Sequence, residues 1–182
     1  MSILDDDQRA SWSLLLRGVA GLLFGFLALA WLGAPAAPRA LLFGGYALVD
    51  GLATASFAMD VRRHDCGSTF YFIRAAVGVV AGLSMLFFPD ALLGTFRILV
   101  GVWAVSVGAA EVVLAARLRH EGPRATLSVA AGMFALLGGV GLLVVPSLSA
   151  YSVGGTFAYL ALLSGAASTS VATRWQEHVA HA

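Results

Sequence analysis

The sequence has no lysine and no asparagine, a single cysteine and few charges of either sign. We attribute the first two absences to the base composition of the genome. Cys66, being alone, excludes an intramolecular disulfide. Eleven arginines oppose ten acidic residues for a net charge of +1, which excludes a nucleic-acid-binding protein that works through excess positive charge. Charged residues make up 12% of the chain, where soluble domains carry about a quarter, so a soluble domain and a disordered chain are also excluded.

The sequence is instead dominated by apolar residues, which make up 59% of its 182 positions and give a mean hydropathy of +0.87. They occur in blocks about as long as the roughly 20 residues that a bilayer span needs. Open β-sheets cannot cross lipid, so these blocks predict helices. The acidic Asp5, Asp6 and Asp7 stand where a secretory signal carries positive charge, which favours a retained first span. The sequence therefore predicts an all-α polytopic membrane protein in contact with the lipid bilayer.

An internal repeat with a period of 57 residues runs along the chain. At this interval Arg17 aligns with Arg74, and Pro89 aligns with Pro146. Each unit contains two apolar blocks joined by a short segment rich in Gly, Pro, Ser and Asp, which is typical of a helical hairpin. The pattern predicts three tandem helical hairpins and six transmembrane helices. Because a short hairpin cannot bury its own faces, the units are expected to pack against one another.

The predicted boundaries follow from the apolar blocks. The first helices of the units are expected at 14–32, 71–89 and 128–146, and the second helices at 40–60, 97–117 and 154–174. The repeats are then 14–60, 71–117 and 128–174, within a single transmembrane domain at 14–174. Residues 1–13 and 175–182 are predicted to be tails.

The arginines are distributed unequally between the two ends of the predicted spans. Only Arg39 and Arg97 lie on the side away from the tails. Nine lie on the side of the tails: Arg9, Arg17, Arg62, Arg63, Arg74, Arg117, Arg119, Arg124 and Arg174. Positive charge marks the cytoplasmic side of a membrane protein, so both tails are predicted to be cytoplasmic.

Small residues recur at helical spacing in every unit. The first helices carry them four residues apart and the second helices seven apart, at Gly21, Gly25, Gly78, Gly82, Gly139, Gly44, Gly51, Gly101, Gly108 and Gly165. Such positions let helix backbones approach closely in lipid, where the hydrophobic effect does not drive association. Two interpretations are open, a face that binds a second copy and ordinary packing within one bundle.

Four charged residues fall inside the predicted spans, namely Arg17, Asp50, Arg74 and Glu111. Charges in the membrane are costly and are the default place to look for function. Thr54 aligns with Glu111 at the repeat interval, so both acids lie on the same stripe of their helices. The third unit has neither the arginine nor the acid. Because the arginine and the acid occur together in the first two units and are both missing from the third, we predict one Arg–acid pair in each of the first two hairpins.

Depth within the helices separates the two predicted pairs. At about 1.5 Å per residue, the helix ends place Arg74 roughly 4–5 Å from the level of Glu111, but Arg17 roughly 10 Å from the level of Asp50. Asp50 is therefore expected to be the least compensated charge, and burial favours its neutral form. Two interpretations are open, a polar seam that holds the hairpins in register and an acid that handles protons along a polar path.

Other chemistry is weakly represented. His64, Cys66, His120, His178 and His181 lie on the predicted cytoplasmic side without the spacing of a metal-binding motif. A pH-sensing role for the histidines is an alternative. Phosphate-binding loops, nucleophile–base arrangements and paired catalytic carboxylates are also missing from the sequence. We therefore expect no metal, no cofactor and no enzymatic activity.

Two segments resemble a known family. The run from Trp12 through Arg17 and Gly21 to Gly25, and the run from Leu42 to Gly51, are similar to the first two helices of the HdeD-like acid-resistance membrane proteins. That family is built from a short repeated hairpin whose first helix ends in Pro, as at Pro89 and Pro146; the first unit departs from this with Leu32. The resemblance implies a bacterial inner-membrane protein that supports resistance to acid or envelope stress.

The resemblance carries no agreed mechanism or binding residues. Such a protein could stabilise the bilayer, act as a scaffold for a second copy or another membrane protein, or move protons or a small solute. The alternative function is a transporter or channel-like protein that uses Arg17, Asp50, Arg74 and Glu111 in its interior. All three units share one orientation, since each has two spans, so the inverted repeats common in secondary transporters are not expected.

Overall fold

The computed structural model describes residues 3–61, 68–89, 95–117, 123–145, 147 and 150–180, and these residues form six α-helices. In chain order the helices are α1 (Ile3–Ala30), α2 (Ala36–Val61), α3 (Ser68–Phe87), α4 (Phe96–Arg117), α5 (Pro123–Val144) and α6 (Ala150–Ala180). The expectation of an all-α fold is confirmed.

Several helices extend beyond the apolar blocks that predicted them. Helix α1 begins at Ile3, well before the expected start of the span at 14, and α6 continues past 174 to Ala180. The backbone hydrogen bonds of a helix do not depend on apolar side chains, so hydropathy locates a span and not the end of the helix around it. Proline marks two boundaries, because α3 ends two residues before Pro89 and α5 starts at Pro123, where a missing N–H costs nothing.

Four of the helices contain segments long and apolar enough to cross a membrane. These segments are Trp12–Ala30, Ala37–Met59, Thr69–Phe87 and Phe96–Val113. Large apolar side chains are exposed on the outside of the bundle, among them Phe26, Phe87 and Leu137. Soluble proteins rarely expose apolar surface on this scale. The chain is therefore a membrane protein with transmembrane helices.

The helices pair between consecutive units and not chiefly within them. The most extensive contacts join α2 to α3, α4 to α5, and α6 back to α1, whereas the two helices of each hairpin share smaller contacts. Helices α2, α4 and α6 also contact one another, which places them at the centre, with α1, α3 and α5 around them. The expected hairpins are present along the chain, but the tight packing unit is the pair formed across two units, and the third unit closes onto the first.

Glycines allow the three tight pairs to form. A Cβ atom built on Gly51 of α2 would lie 2.7 Å from the backbone nitrogen of Val79 on α3, closer than real Cβ atoms come. The same distance separates a Cβ on Gly108 of α4 from the backbone nitrogen of Leu136 on α5. Helices at such contacts pack backbone against backbone.

Helix α6 meets α1 in the same way, because a Cβ on Gly165 would lie 2.7 Å from the backbone nitrogen of Leu22. The remaining small-residue positions also face neighbouring helices of the same chain: Gly21, Gly25, Gly44, Gly78, Gly82, Gly101 and Gly139. The helices of each pair run antiparallel, since Gly18 faces Thr169 while Gly25 faces Leu162. These glycines are therefore occupied inside the bundle and present no surface to a second copy.

Two apolar clusters fill the interior. The aromatic cluster, made of Phe43, Tyr46, Phe96, Trp103 and Phe157, lies toward the N-terminal ends of the central helices. Its rings meet mostly edge to face, as between Phe43 and Phe157, whose centroids are 5.4 Å apart. The second cluster lies toward the other ends of the central helices and consists of Leu14, Phe57, Ala58, Tyr71, Ala110, Val171 and Ala172. Charged residues lie between these two clusters along the helices.

We predict that Gly165→Ala destabilises the protein by about 1–3 kcal/mol, because the added methyl group meets backbone atoms of α1 that cannot move independently. Gly141→Ala is the matched control, since nothing lies within 4 Å of a Cβ built at Gly141 on α5. The control should be neutral or stabilising, because alanine favours a helix over glycine. Unfolding in mixed micelles by SDS titration compares the two variants. Equal stability would show that α1 and α6 are not packed backbone to backbone.

Candidate functional site

The four charged residues of the spans converge in the interior, although they come from four helices. Arg17 of α1, Asp50 of α2, Arg74 of α3 and Glu111 of α4 are all buried, with exposed fractions of 7%, 1%, 3% and 1%. Hydroxyl groups of the central helices lie beside them. We call this set the polar layer; its members are Arg17, Asp50, Thr54, Arg74, Glu111, Ser164 and Ser168.

Asp50 is the centre of the polar layer and binds both arginines. Its Oδ1 accepts a hydrogen bond from Arg17 Nε at 2.9 Å. Arg74 Nη2 donates to both carboxylate oxygens, at 3.1 Å to Oδ1 and 2.8 Å to Oδ2. The expectation that Asp50 is the least compensated charge is therefore wrong, because two guanidinium groups contact it directly.

The error has a geometric cause. Arg17 lies thirteen residues before the last residue of α1, Ala30, and Asp50 lies fourteen residues after the first residue of α2, Ala36. Measured from the turn that joins the two helices, the residues differ in depth by about 1.5 Å, one helical rise. The predicted difference in depth between Arg17 and Asp50 was counted from the helix ends that lie away from this turn. Hydropathy does not locate the helix boundary at those ends. The turn is the better reference because both helices share it.

Glu111 is bound by Arg17 and not by the arginine of its own hairpin. Its Oε1 accepts from Arg17 Nη2 at 2.5 Å and from Ser164 Oγ at 3.2 Å. Arg17 Nη2 also donates to Ser164 Oγ at 2.8 Å. The expected pair of Arg74 with Glu111 is wrong, since Arg74 donates instead to Asp50 and to the hydroxyl of Thr54.

The hydroxyl groups of Thr54 and Ser164 complete the hydrogen bonding. Thr54 accepts from Arg74 Nη1 and donates from Oγ1 to the backbone oxygen of Asp50 at 2.7 Å. Both residues could have been predicted as members of the polar layer from the repeat interval, because Thr54 aligns with Glu111 and Ser164 aligns with Asp50. Residues at one position of a repeat reach one layer of the bundle, whatever their side chains.

The charges of the polar layer balance within it. Two guanidinium groups face two carboxylates, so the ionised layer has no net charge. A buried charge is tolerated where it is paired and hydrogen-bonded. The three ion pairs join Arg17 to Asp50, Arg17 to Glu111 and Arg74 to Asp50, and they connect four helices. The polar layer therefore connects the first two units to each other and, through Ser164, to the third.

Apolar side chains cover the polar layer on both sides along the central helices. On α2, Tyr46 lies one turn before Asp50, and Phe57 follows Thr54. Tyr46 and Trp103 pack edge to face with their centroids 5.5 Å apart, which fills the space between α2 and α4. The aromatic cluster and the second cluster thus separate the buried charges from the two ends of the bundle.

Two further arginines lie at the opposite end from the termini and bind helix ends. Arg97 Nη1 donates to the backbone oxygens of Leu142 and, at 3.4 Å, of Val145, at the C-terminal end of α5. Arg39 Nη1 donates to the backbone oxygen of Leu32, just after α1, at 3.5 Å. Cations stabilise the negative end of the helix dipole, so these arginines have a structural role at this end of the bundle.

The expectation that the histidines and Cys66 bind no metal is not tested by the structure. His64, Cys66, His120 and His181 lie outside the described residues, and the side chain of His178 is not described either. Within the part of the chain that is described, no group of three or more His, Cys, Asp or Glu side chains could hold a metal ion.

We predict that Asp50→Asn and Arg74→Gln each destabilise the protein by about 3–5 kcal/mol, because each removes the Asp50–Arg74 ion pair and leaves a net charge in the buried polar layer. The double variant keeps the neutral pair of Arg17 and Glu111, so it should lose less stability than the two single changes together, with a coupling of about 0.5–3 kcal/mol. Chemical unfolding of all three variants in detergent measures this. Arg39→Gln, outside the polar layer, is the control and should cost about 1 kcal/mol or less. Additive losses would contradict the assignment of the Asp50–Arg74 pair.

Comparison with known proteins identifies a family for the chain. No curated protein and no solved structure matches it. A family model described as a short repeat of unknown function (DUF308) matches twice, at residues 16–87 and 73–144. The two matches start 57 residues apart and confirm an internal repeat. The first match runs to the end of α3 and the second to the end of α5, so each includes one tight pair of helices formed across two units. Since the matches together cover well over half of the sequence, the chain belongs to the DUF308 short-repeat family.

Proposed function

We propose that the chain is an HdeD-like protein of the bacterial inner membrane that supports resistance to acid or envelope stress without catalysing a reaction. In this proposal it consists of three 57-residue units with six transmembrane helices and has both termini in the cytoplasm. The observation that carries the proposal is the balanced polar layer, which connects the helices inside the membrane and is covered by apolar side chains on both sides.

The packing of α5 and α6 supports six spans. Helix α5 has a shorter apolar segment, Val129–Val144, but it lies along α4 at glycine contacts like those between α2 and α3. Helix α6 lies along α1 over the contacts from Leu162 to Thr169, antiparallel to a helix that is long and apolar enough to cross the membrane. Helices packed along spanning helices at the same level lie at the same depth in the bilayer. All six helices also have at least the roughly 20 residues that a span requires.

An even number of spans puts both termini on one side, and the arginine distribution assigns that side to the cytoplasm. The two arginines at the opposite end, Arg39 and Arg97, donate hydrogen bonds to helix ends. Their local structural role accounts for their position away from the side with excess positive charge. The described parts of α2 and α4 carry no other arginine at that end.

The construction of the interior favours a scaffold or a bilayer-stabilising protein over a passage. Three ion pairs cross-link four helices, so the bundle resists separation of its units. The aromatic cluster fills the axis on one side of the polar layer and the second cluster fills it on the other.

A transporter of protons or a small solute is the alternative function, and one observation favours it. The polar layer contains buried atoms without a hydrogen-bond partner among the described residues, including Glu111 Oε2 and Arg74 Nε. Free hydrogen-bonding capacity inside a membrane protein is what a solute or proton path requires. The repeated units have one orientation, so such a transporter would use parallel and not inverted repeats.

The partners in this proposal are the lipid bilayer and either a second copy of the chain or another membrane protein. The glycines are used inside the bundle, so association with a second copy or with another membrane protein would use the exposed outer faces of the helices.

We predict that a strain lacking this chain survives exposure to low pH less well than its parent. Expression of the wild-type chain should restore survival, and so should Arg39→Gln, which leaves the polar layer intact. Asp50→Asn should restore survival poorly, because it removes the ion pairs of Asp50 in the polar layer. Immunoblotting of membranes separates loss of protein from loss of function. Unchanged survival of the deletion strain would contradict the stress role.

We predict that purified protein in liposomes conducts protons no faster than protein-free liposomes across an imposed pH gradient, measured with an entrapped pH dye. The covered polar layer offers no continuous path, which is the physical reason. Rapid flux that Asp50→Asn abolishes and Arg39→Gln preserves would overturn the scaffold proposal in favour of the transporter.

A further inference from the structure

The three units supply different residues at one position of the polar layer. The surrounding helices carry Arg17 on α1, Arg74 on α3 and Ala131 on α5 at intervals of 57 residues. Ala131 is buried like the two arginines, with an exposed fraction of 3%. The third position of the layer therefore has no donor from α5.

The helix paired with α5 is α4, which carries Glu111. Gly132, next to Ala131, packs against Val112, next to Glu111, since a Cβ on Gly132 would lie 3.0 Å from the backbone nitrogen of Val112. At the equivalent place in the α2–α3 pair, Arg74 donates to Thr54. Glu111 thus occupies a position whose neighbouring helix provides an alanine where the preceding unit provides an arginine.

The hydrogen bonding of Glu111 reflects this substitution. Its Oε1 is bound by Arg17 and Ser164, whereas its Oε2 is buried and has no partner among the described residues. Ser168, which aligns with Glu111 at the repeat interval, is 1% exposed, and its Oγ also has no partner. Arg74 Nε is the third such atom in the polar layer.

We propose that the polar layer binds internal water beside Ala131, held by Glu111 Oε2 and Ser168 Oγ. Buried polar atoms without protein partners are commonly hydrogen-bonded to ordered water, which needs two to four such partners. Water fits their chemistry, because it donates to a carboxylate oxygen and exchanges either role with a hydroxyl. A cation fits less well, since the ionised layer is already neutral.

Solid-state NMR of the full-length protein in lipid bilayers tests the proposal. Magnetisation transfer from water protons should reach the side-chain carbons of Glu111 and Ser168 but not those of Leu160. Leu160 is a matched control because it is equally buried and lies two turns from Ser168 on the same face of α6. Ser168→Ala, a small change at a buried position, should reduce the transfer to Glu111.

Either of two results would overturn the proposal. Transfer to Glu111 and Ser168 as weak as that to Leu160 would show that the layer is dry. Transfer to Glu111 that is unchanged in Ser168→Ala would show that Ser168 does not hold the water. Neither measurement depends on the stress role, so failure of this proposal is distinguishable from failure of the proposed function.

Discussion

Two guanidinium groups lie inside a bundle whose outer surface is apolar, and each must find its counter-charge within the protein. This requirement places Asp50 between Arg17 and Arg74, and it brings Glu111 to the other side of Arg17. Four helices therefore have a fixed rotation and depth relative to one another, because a turn of any of them removes a partner from a buried charge. Removing one partner of a buried ion pair costs more than the pair contributes, so the layer acts on specificity more than on net stability.

The close approach of the helices makes these contacts geometrically accessible. Where Gly51 meets Gly78, the axes of α2 and α3 come near enough for Arg74 to reach Asp50 and Thr54 from the outer helix. The equivalent contact of Gly165 with Gly21 brings Arg17 against α6 and its Ser164. Glycine contacts and ion pairs are thus two parts of one arrangement. The glycines determine which helices touch, and the arginines determine the relative depth of those helices.

The sequence contained enough to predict the helices, the repeat and the identity of the buried charges, because span length, periodicity and intramembrane charge are all local properties. It did not contain the pairing of the charges. Hydropathy gives the ends of a span to within a few residues, and an error of that size moved Arg17 away from Asp50. Which helix faces which depends on where backbones can approach, and the same glycine pattern fits packing within a hairpin or between neighbouring units. The contacts of α2 with α3, of α4 with α5 and of α6 with α1 show which arrangement the chain adopts.

The loss of symmetry in the third unit has a physical consequence for the way α5 is held. An arginine and an acid in every unit would also give a neutral layer, but it would bury six charges and pay the desolvation cost of each. In the present chain α5 has no charged side chain in its described membrane-facing part, and it is held by packing on α4 and by Arg97 at its end. Displacing α1 breaks contacts with both acids, whereas displacing α5 breaks no ion pair among the described side chains. Among the described side chains, α5 is therefore held by packing and by the hydrogen bonds of Arg97, without the ion pairs that hold α1 and α3.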